Sequence, residues 1–310
     1  MSKIAFVFPG QGAQKPGMGK EFYDNYPEAK EIFEKASEIT GLNMQALCFE
    51  ENDKLNLTEY TQAAILTTSA AIMRVAQKEG LKADVCAGLS LGEYNALVAA
   101  KAISFEEAVA VVRQRGILMQ EAVPQGIGAM SAVLGLDKEI IEKICAGIDG
   151  VEVANYNCPG QIVISGKKEA VDEAAVQLKE AGAKRCLPLN VSGPFHSSML
   201  IPAGEKLAEV LDGVTVKKPQ IPYVTNVTAE YVTEETDIKS LLTKQVSSSV
   251  RWQQSVERMI EDGVDTFIEI GPGKTLCGFM KKINAEMKSF NIETIEDMKK
   301  VIEAVNGAEA

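Results

Sequence analysis

The stretch that decides the fold is Asp84-Val85-Cys86-Ala87-Gly88-Leu89-Ser90-Leu91-Gly92-Glu93-Tyr94-Asn95-Ala96-Leu97-Val98. Its first part is a short apolar run closed by glycine, the signature of a buried strand, and its second part reads as a helix. Between them lies Gly-x-Ser-x-Gly. A strand that turns sharply into a helix forces the central residue into a strained conformation, and a Cβ at either flanking position would strike the neighbouring backbone. Ser90 is therefore read as the tip of a nucleophile elbow, with an ordinary Gly-rich turn as the alternative.

Similar short runs at 4–8, 222–226 and 265–270 are further strand candidates, separated by long helical patterns, and together they predict an α/β fold with a parallel sheet. A helix is expected over 58–79. Another opens at the capping box Ser104-Phe105-Glu106-Glu107 and runs to about 121, where Val123-Pro124-Gln125-Gly126 breaks it. Beyond the break the pattern becomes strand 129–136, helix 137–146, strands 151–155 and 161–165, helix 168–181 and strand 184–191. That β-α-β-β-α-β order is ferredoxin-like. The expected architecture is a hydrolase-like, parallel-sheet large domain made of 1–125 and 192–310, with a ferredoxin-like small domain inserted at 126–191.

The chain has 310 residues, 46% hydrophobic and 24% charged, which is globular composition and excludes disorder and collagen. Its net charge of −11 repels phosphate backbones and anionic lipid, so neither nucleic acid nor a membrane is an expected partner. The apolar run after Lys3 stops at Pro9-Gly10, too short for a signal-peptide core or a membrane span. Six scattered cysteines without a C-x-x-C, and a single histidine, give neither a disulfide framework nor a zinc site. No metal is expected, and a reducing cytoplasm is the expected compartment.

A serine hydroxyl needs an adjacent base at neutral pH, and His196, in Ser192-Gly193-Pro194-Phe195-His196-Ser197, is the only imidazole available. The helix that follows Ser90 offers the N–H of Leu91 as an oxyanion donor. The loop Phe8-Pro9-Gly10-Gln11-Gly12-Ala13-Gln14 falls at the same sheet end, where open α/β sheets bind ligands. Either its glycines admit a close ligand, with the N–H of Gln11 as second oxyanion donor, or it is a plain tight turn. It is no dinucleotide fingerprint, because Lys15 takes the last glycine position, and Gly273-Lys274-Thr275 is no phosphate loop, because Ile268 stands where a glycine is required. Arg115 sits among Val111, Val112, Leu118 and Met119 at helical spacing, a cation in an apolar stripe that demands an anion. Glu93, Glu121 or a ligand carboxylate would serve. Arg113 reads as a surface residue.

Taken in order, Gly10-Gln11-Gly12, Gly88-Leu89-Ser90-Leu91-Gly92-Glu93-Tyr94, Gln114-Arg115-Gly116 and Pro194-Phe195-His196 resemble the malonyl-CoA:acyl-carrier-protein transacylase family. Tyr60-Thr61-Gln62-Ala63, Asn157-Cys158-Pro159-Gly160-Gln161 and Glu269-Ile270-Gly271-Pro272-Gly273 agree. The resemblance implies ping-pong transfer of malonyl from malonyl-CoA through Ser90 to the phosphopantetheine thiol of acyl carrier protein, supplying fatty acid biosynthesis, with CoA as product and no tightly bound cofactor. It implies His196 as base, Gln11 and Leu91 as oxyanion donors, Arg115 on the malonyl carboxylate, and Gln245 orienting His196 through its main-chain carbonyl. Two departures stand out: Leu89 replaces a histidine found in many relatives, and Phe195 replaces a serine found in some, which favours malonyl over methylmalonyl. Asn157, Lys184 and Arg185 are candidate contacts for CoA or the carrier, as are Lys281 and Lys282. The protein is expected to act as a monomer. A serine thioesterase or esterase, and a non-catalytic carrier-protein docking module, are the alternatives.

Overall fold

The computed structural model describes residues 2–124, 126–191 and 193–307. Gln125 and Ser192, where the expected domain boundaries fall, lie outside the described residues. The strands are β1 (Ile4–Phe8), β2 (Val85–Gly88), β3 (Gly128–Leu134), β4 (Val151–Cys158), β5 (Gln161–Lys167), β6 (Arg185–Pro188), β7 (Tyr223–Val224), β8 (Tyr231–Val232), β9 (Thr266–Ile270) and β10 (Lys288–Ile292). One sheet has the order β10-β9-β1-β2-β7-β8 and is parallel except for β8. The central strands are continuously apolar because helices cover both faces. Alternation sends Ile4, Phe6 and Phe8 into the larger core and Ala5 and Val7 into a smaller one beneath the other face.

The second sheet, antiparallel in the order β4-β5-β3-β6, is the ferredoxin-like unit. Its pleat decides how it meets the rest of the chain. Val133, Ile162 and Ile164 face its own two helices, whereas Met130, Ala132 and Val163 point the other way and join the large core. β4 is also tied to the segment after residue 245, through Tyr156 N–H to Val250 O at 2.9 Å and Val250 N–H to Ala154 O at 2.8 Å. The small sheet thus roofs the carboxyl end of the large one.

The helix Thr58–Lys78 is buried along most of its length and packs against Phe105–Glu121, which opens with the expected capping box at Ser104 and Glu107. Gly116 permits the contact: a Cβ there would lie 2.9 Å from the Thr58 carbonyl oxygen and 3.0 Å from the Glu59 Cα. The same closeness corrects the reading of Arg113. Rather than standing at the surface, it is half-buried, pairs with Glu59 at 3.1 Å and lies over the Tyr60 ring.

Other differences are local. The strand expected at 222–226 shrinks to Tyr223–Val224, since Asn226 turns its side chain towards the elbow. That expected at 184–191 is only Arg185–Pro188, although Leu189 N–H still donates to Met130 O at 2.9 Å beyond it. β4 runs past the expected 155 to Cys158, re-phased by register shifts on either side of Asn155. β8 and β10 are additions. β10 is an edge strand in which only Ile292 is fully buried, so its sequence carries no clear alternation. Among the described residues no helix is long and apolar enough to cross a membrane.

Gly116→Ala tests the helix contact. Helix propensity alone would stabilise by about 1 kcal/mol, but overpacking against backbone costs about 1–3 kcal/mol. Urea denaturation should show a net loss of stability.

Candidate active site

The elbow has the geometry its sequence demands. Ser90 has φ 52°, in the left-handed region. A Cβ on Gly88 would fall 1.9 Å from the Gly92 carbonyl carbon, and one on Gly92 would fall 2.2 Å from the Phe8 carbonyl oxygen. The second contact is what lets β1 and its loop lie directly against the elbow. Asn226 completes the turn: its Oδ1 accepts the Ser90 N–H at 2.6 Å and its Nδ2 donates to Gly88 O at 2.7 Å. Holding a non-glycine residue in this conformation costs on the order of 1–3 kcal/mol, and these two bonds oppose that cost.

His196 also has a left-handed backbone, φ 58°. Its Nε2 lies 2.7 Å from Ser90 Oγ and its Nδ1 2.8 Å from the main-chain oxygen of Gln245. A carbonyl only accepts, so Nδ1 carries the proton and Nε2 is left to accept from Ser90. Burial, reinforced by the nearby Arg115 charge, pushes the imidazole pKa down to about 4. At pH 7 only about one molecule in a thousand would hold His196 protonated. The imidazole is kept neutral.

Arg115 is 1% exposed. Its guanidinium donates to Gln62 Oε1, to Gln245 Oε1 at 3.0 Å and to Ser90 Oγ at 3.2 Å, and lies over the Tyr94 ring. Neither carboxylate offered by the sequence pairs with it: Glu121 is exposed, and Glu93 bonds elsewhere. Among the described residues every acceptor on this cation is therefore neutral. A carboxylate-bearing ligand beside Ser90 would supply the absent charge.

These groups open into a cavity of about 320 Å³, lined by Gln11, Ser90, Leu91, Arg115, Asn157 and His196 and walled by Met119, Met130, Val163, Phe195, Leu276 and Phe279. The N–H groups of Gln11 and Leu91 find no acceptor among the described residues. Asn157 is buried on β4 with its Oδ1 unpartnered among them. Lys184 and Arg185 do not line the cavity; they stand at the outer strand β6. Lys282, in the last turn of the helix Thr275–Ile283, reaches Gln161 at the cavity wall at 3.5 Å.

Three supporting residues were not singled out from the sequence for these roles. Asn226 follows a strand, Gln62 lies in the recognised Tyr60–Ala63 signature, and Glu269 is a buried acid ending β9. Glu269 accepts the N–H groups of Leu276 and Cys277 at 3.1 and 2.8 Å, capping the helix that carries Leu276 and Phe279 into the cavity wall.

A serine at a strained elbow, a buried neutral histidine and paired main-chain donors facing one cavity define an enzyme that passes acyl groups through a serine ester. The chain belongs to the acyl transferase domain family, whose model matches residues 5–301. Within it, the chain is similar to the malonyl CoA-acyl carrier protein transacylases. That of Bacillus subtilis is 50% identical over 304 residues, 96% of each chain, and that of Staphylococcus aureus strain MRSA252 is 46% identical, covering 96% of this chain and 98% of its own. The solved transacylase of Clostridium perfringens superimposes with TM-score 0.96 at 47% identity, covering 99% of this chain and 98% of its own. A malonyl-transacylase in complex with a type II PKS acyl-carrier protein matches with TM-score 0.95 at 42% identity, over 98% of this chain and 100% of its own.

With one histidine in the chain, NMR can follow its titration without assignment. The imidazole should titrate near pH 4 rather than 6.5, and Arg115→Ala should move it upward by removing a repelling charge.

Proposed function

We propose that the protein transfers a malonyl group from malonyl-CoA to the phosphopantetheine thiol of an acyl carrier protein by way of malonyl-Ser90, supplying fatty acid biosynthesis. The observation that carries this reading is the buried Arg115 guanidinium, held by neutral acceptors only and 3.2 Å from Ser90 Oγ. An acyl group with a free carboxylate satisfies it. An acetyl group does not.

In the first half-reaction Ser90 Oγ gives its proton to His196 Nε2 and attacks the thioester carbonyl. The N–H groups of Gln11 and Leu91 receive the oxyanion. Collapse breaks the C–S bond, and the CoA thiolate leaves with the proton from His196. In the second, the carrier thiol gives its proton to His196 and attacks the ester carbonyl; collapse releases malonyl-carrier, and Ser90 Oγ takes the proton back. The Gln245 carbonyl holds the Nδ1 proton throughout.

Asn157, with an open acceptor in the cavity, is suited to the pantetheine amides. Lys282 is nearer the cavity than Lys184 or Arg185 and suits the phosphates of CoA or the acidic carrier. Phe195, packed beside His196, crowds an α-substituent and favours malonyl. We read 126–191 as a separate small domain, and the protein as a cytoplasmic monomer with no nucleic-acid or membrane partner, the latter on its charge of −11. No tightly bound cofactor enters the scheme.

Intact-protein mass spectrometry tests it. Malonyl-CoA should add one malonyl to the wild type and none to Ser90→Ala, and phosphopantetheinylated carrier protein should remove it. Loss of the adduct to water alone would instead indicate a thioesterase. Arg115→Ala should slow malonylation by roughly a hundredfold or more, the loss expected for a buried charge pair, while slowing acetylation far less, since there only its hold on Gln245 is lost. Equal loss with both acyl groups would make Arg115 structural.

A further inference from the structure

Glu93 is a buried acid for which the transfer scheme has no use. It lies in the first turn of the helix Gly92–Ala99, is wholly inaccessible, and forms no ion pair among the described residues. Burying a carboxylate without a cation is costly. What it accepts is specific. Its Oε2 takes the main-chain N–H of Asn226 at 3.1 Å and the side-chain amide of Gln245 at 2.6 Å.

Both partners touch the reacting pair. Asn226 holds the Ser90 N–H, and the Gln245 carbonyl holds His196 Nδ1. The Gln245 amide is gripped at both ends, its Nε2 by Glu93 and by Ser90 O at 3.0 Å, its Oε1 by Arg115. An ionised carboxylate can only accept and a guanidinium can only donate, so together they permit one orientation of that amide. We infer that ionised Glu93 is a positioning residue, aligning His196 through Gln245 and Ser90 through Asn226. The inference rests on Ser90 and His196 acting as proposed above.

A proton would settle on Oε1, which has no partner among the described residues, leaving Oε2 an uncharged and weaker acceptor and loosening that grip. Burial, the leading cause, raises the Glu93 pKa to about 6 against the hydrogen bonds and the Arg115 charge. The charged or titratable groups around it are Arg115, Tyr94, Tyr223 and His196. Burial pushes the Tyr94 hydroxyl up to about 12 and raises that of Tyr223 well above its ordinary value. His196 is held near 4. Only Glu93 among them changes charge near pH 6.

The test is the single-turnover rate of Ser90 acylation from pH 4.5 to 8.5, with malonyl-CoA and with p-nitrophenyl acetate, which does not itself titrate in this range. The wild-type rate should fall as the pH drops through about 6 for both acyl donors, while the His196 NMR titration stays near 4. Glu93→Gln should be slower at pH 8 by roughly ten- to hundredfold, with unchanged KM and no inflection near 6. Its melting temperature at pH 8 should be no lower than wild type, since the raised pKa means that ionised Glu93 destabilises the fold above pH 6. A folded Glu93→Gln protein with the wild-type rate and profile would overturn the inference. If that variant does not fold, a wild-type profile flat through pH 6 overturns it equally. Wild type that takes no malonyl at all would instead sink the transferase reading.

Discussion

A guanidinium buried without a carboxylate bonded to it is the constraint around which this site is arranged. Arg115 is held by the helix Phe105–Glu121 against Thr58–Lys78, at the level where Gly116 lets the two backbones approach. Its acceptors are two amide oxygens and the Ser90 hydroxyl. Neutral dipoles solvate a cation less completely than a carboxylate, so the free protein keeps an unspent affinity for an anion beside Ser90. The same charge presses on His196 and keeps it deprotonated. In the proposed scheme one residue thereby serves acyl selection and the state of the base, and Gln245 connects the two through its side chain and its carbonyl.

The local features legible in the sequence were those with a single physical cause. Gly88 and Gly92 declare the elbow because no side chain fits there; Ser104 and Glu107 declare a helix start because they cap each other. The β-α-β-β-α-β order fixed the small sheet because its turns and helices are short and regular. Less legible was anything set by contacts between distant segments. Arg113 looks like a surface residue in its own helix because its environment comes from Glu59 and Tyr60 on another helix. Asn226 and Gln62 carry no local signal of their roles; an amide at a strand end or on a helix becomes informative only when Ser90 or Arg115 is seen beside it. β10, polar and at the sheet edge, lacks the alternation that a half-buried strand would display.

His196 is oriented by a carbonyl where many serine enzymes use a carboxylate, and the difference has an energetic sense here. A carboxylate against Nδ1 would stabilise the imidazolium strongly and draw the histidine pKa up, partly cancelling the effect of Arg115. A carbonyl fixes the tautomer while offering only a dipole. The resulting base is weak but fully available, which suits an exchange between a serine ester and thiols that surrender protons more readily than water. A buried acid is nevertheless present one residue removed, since Glu93 bonds the side chain whose own carbonyl meets the histidine. It acts on the imidazole by holding that side chain rather than by direct contact. Orientation of the imidazole, the task of one aspartate elsewhere, is here shared between the Gln245 carbonyl that meets Nδ1 and the Glu93 carboxylate that fixes the Gln245 side chain.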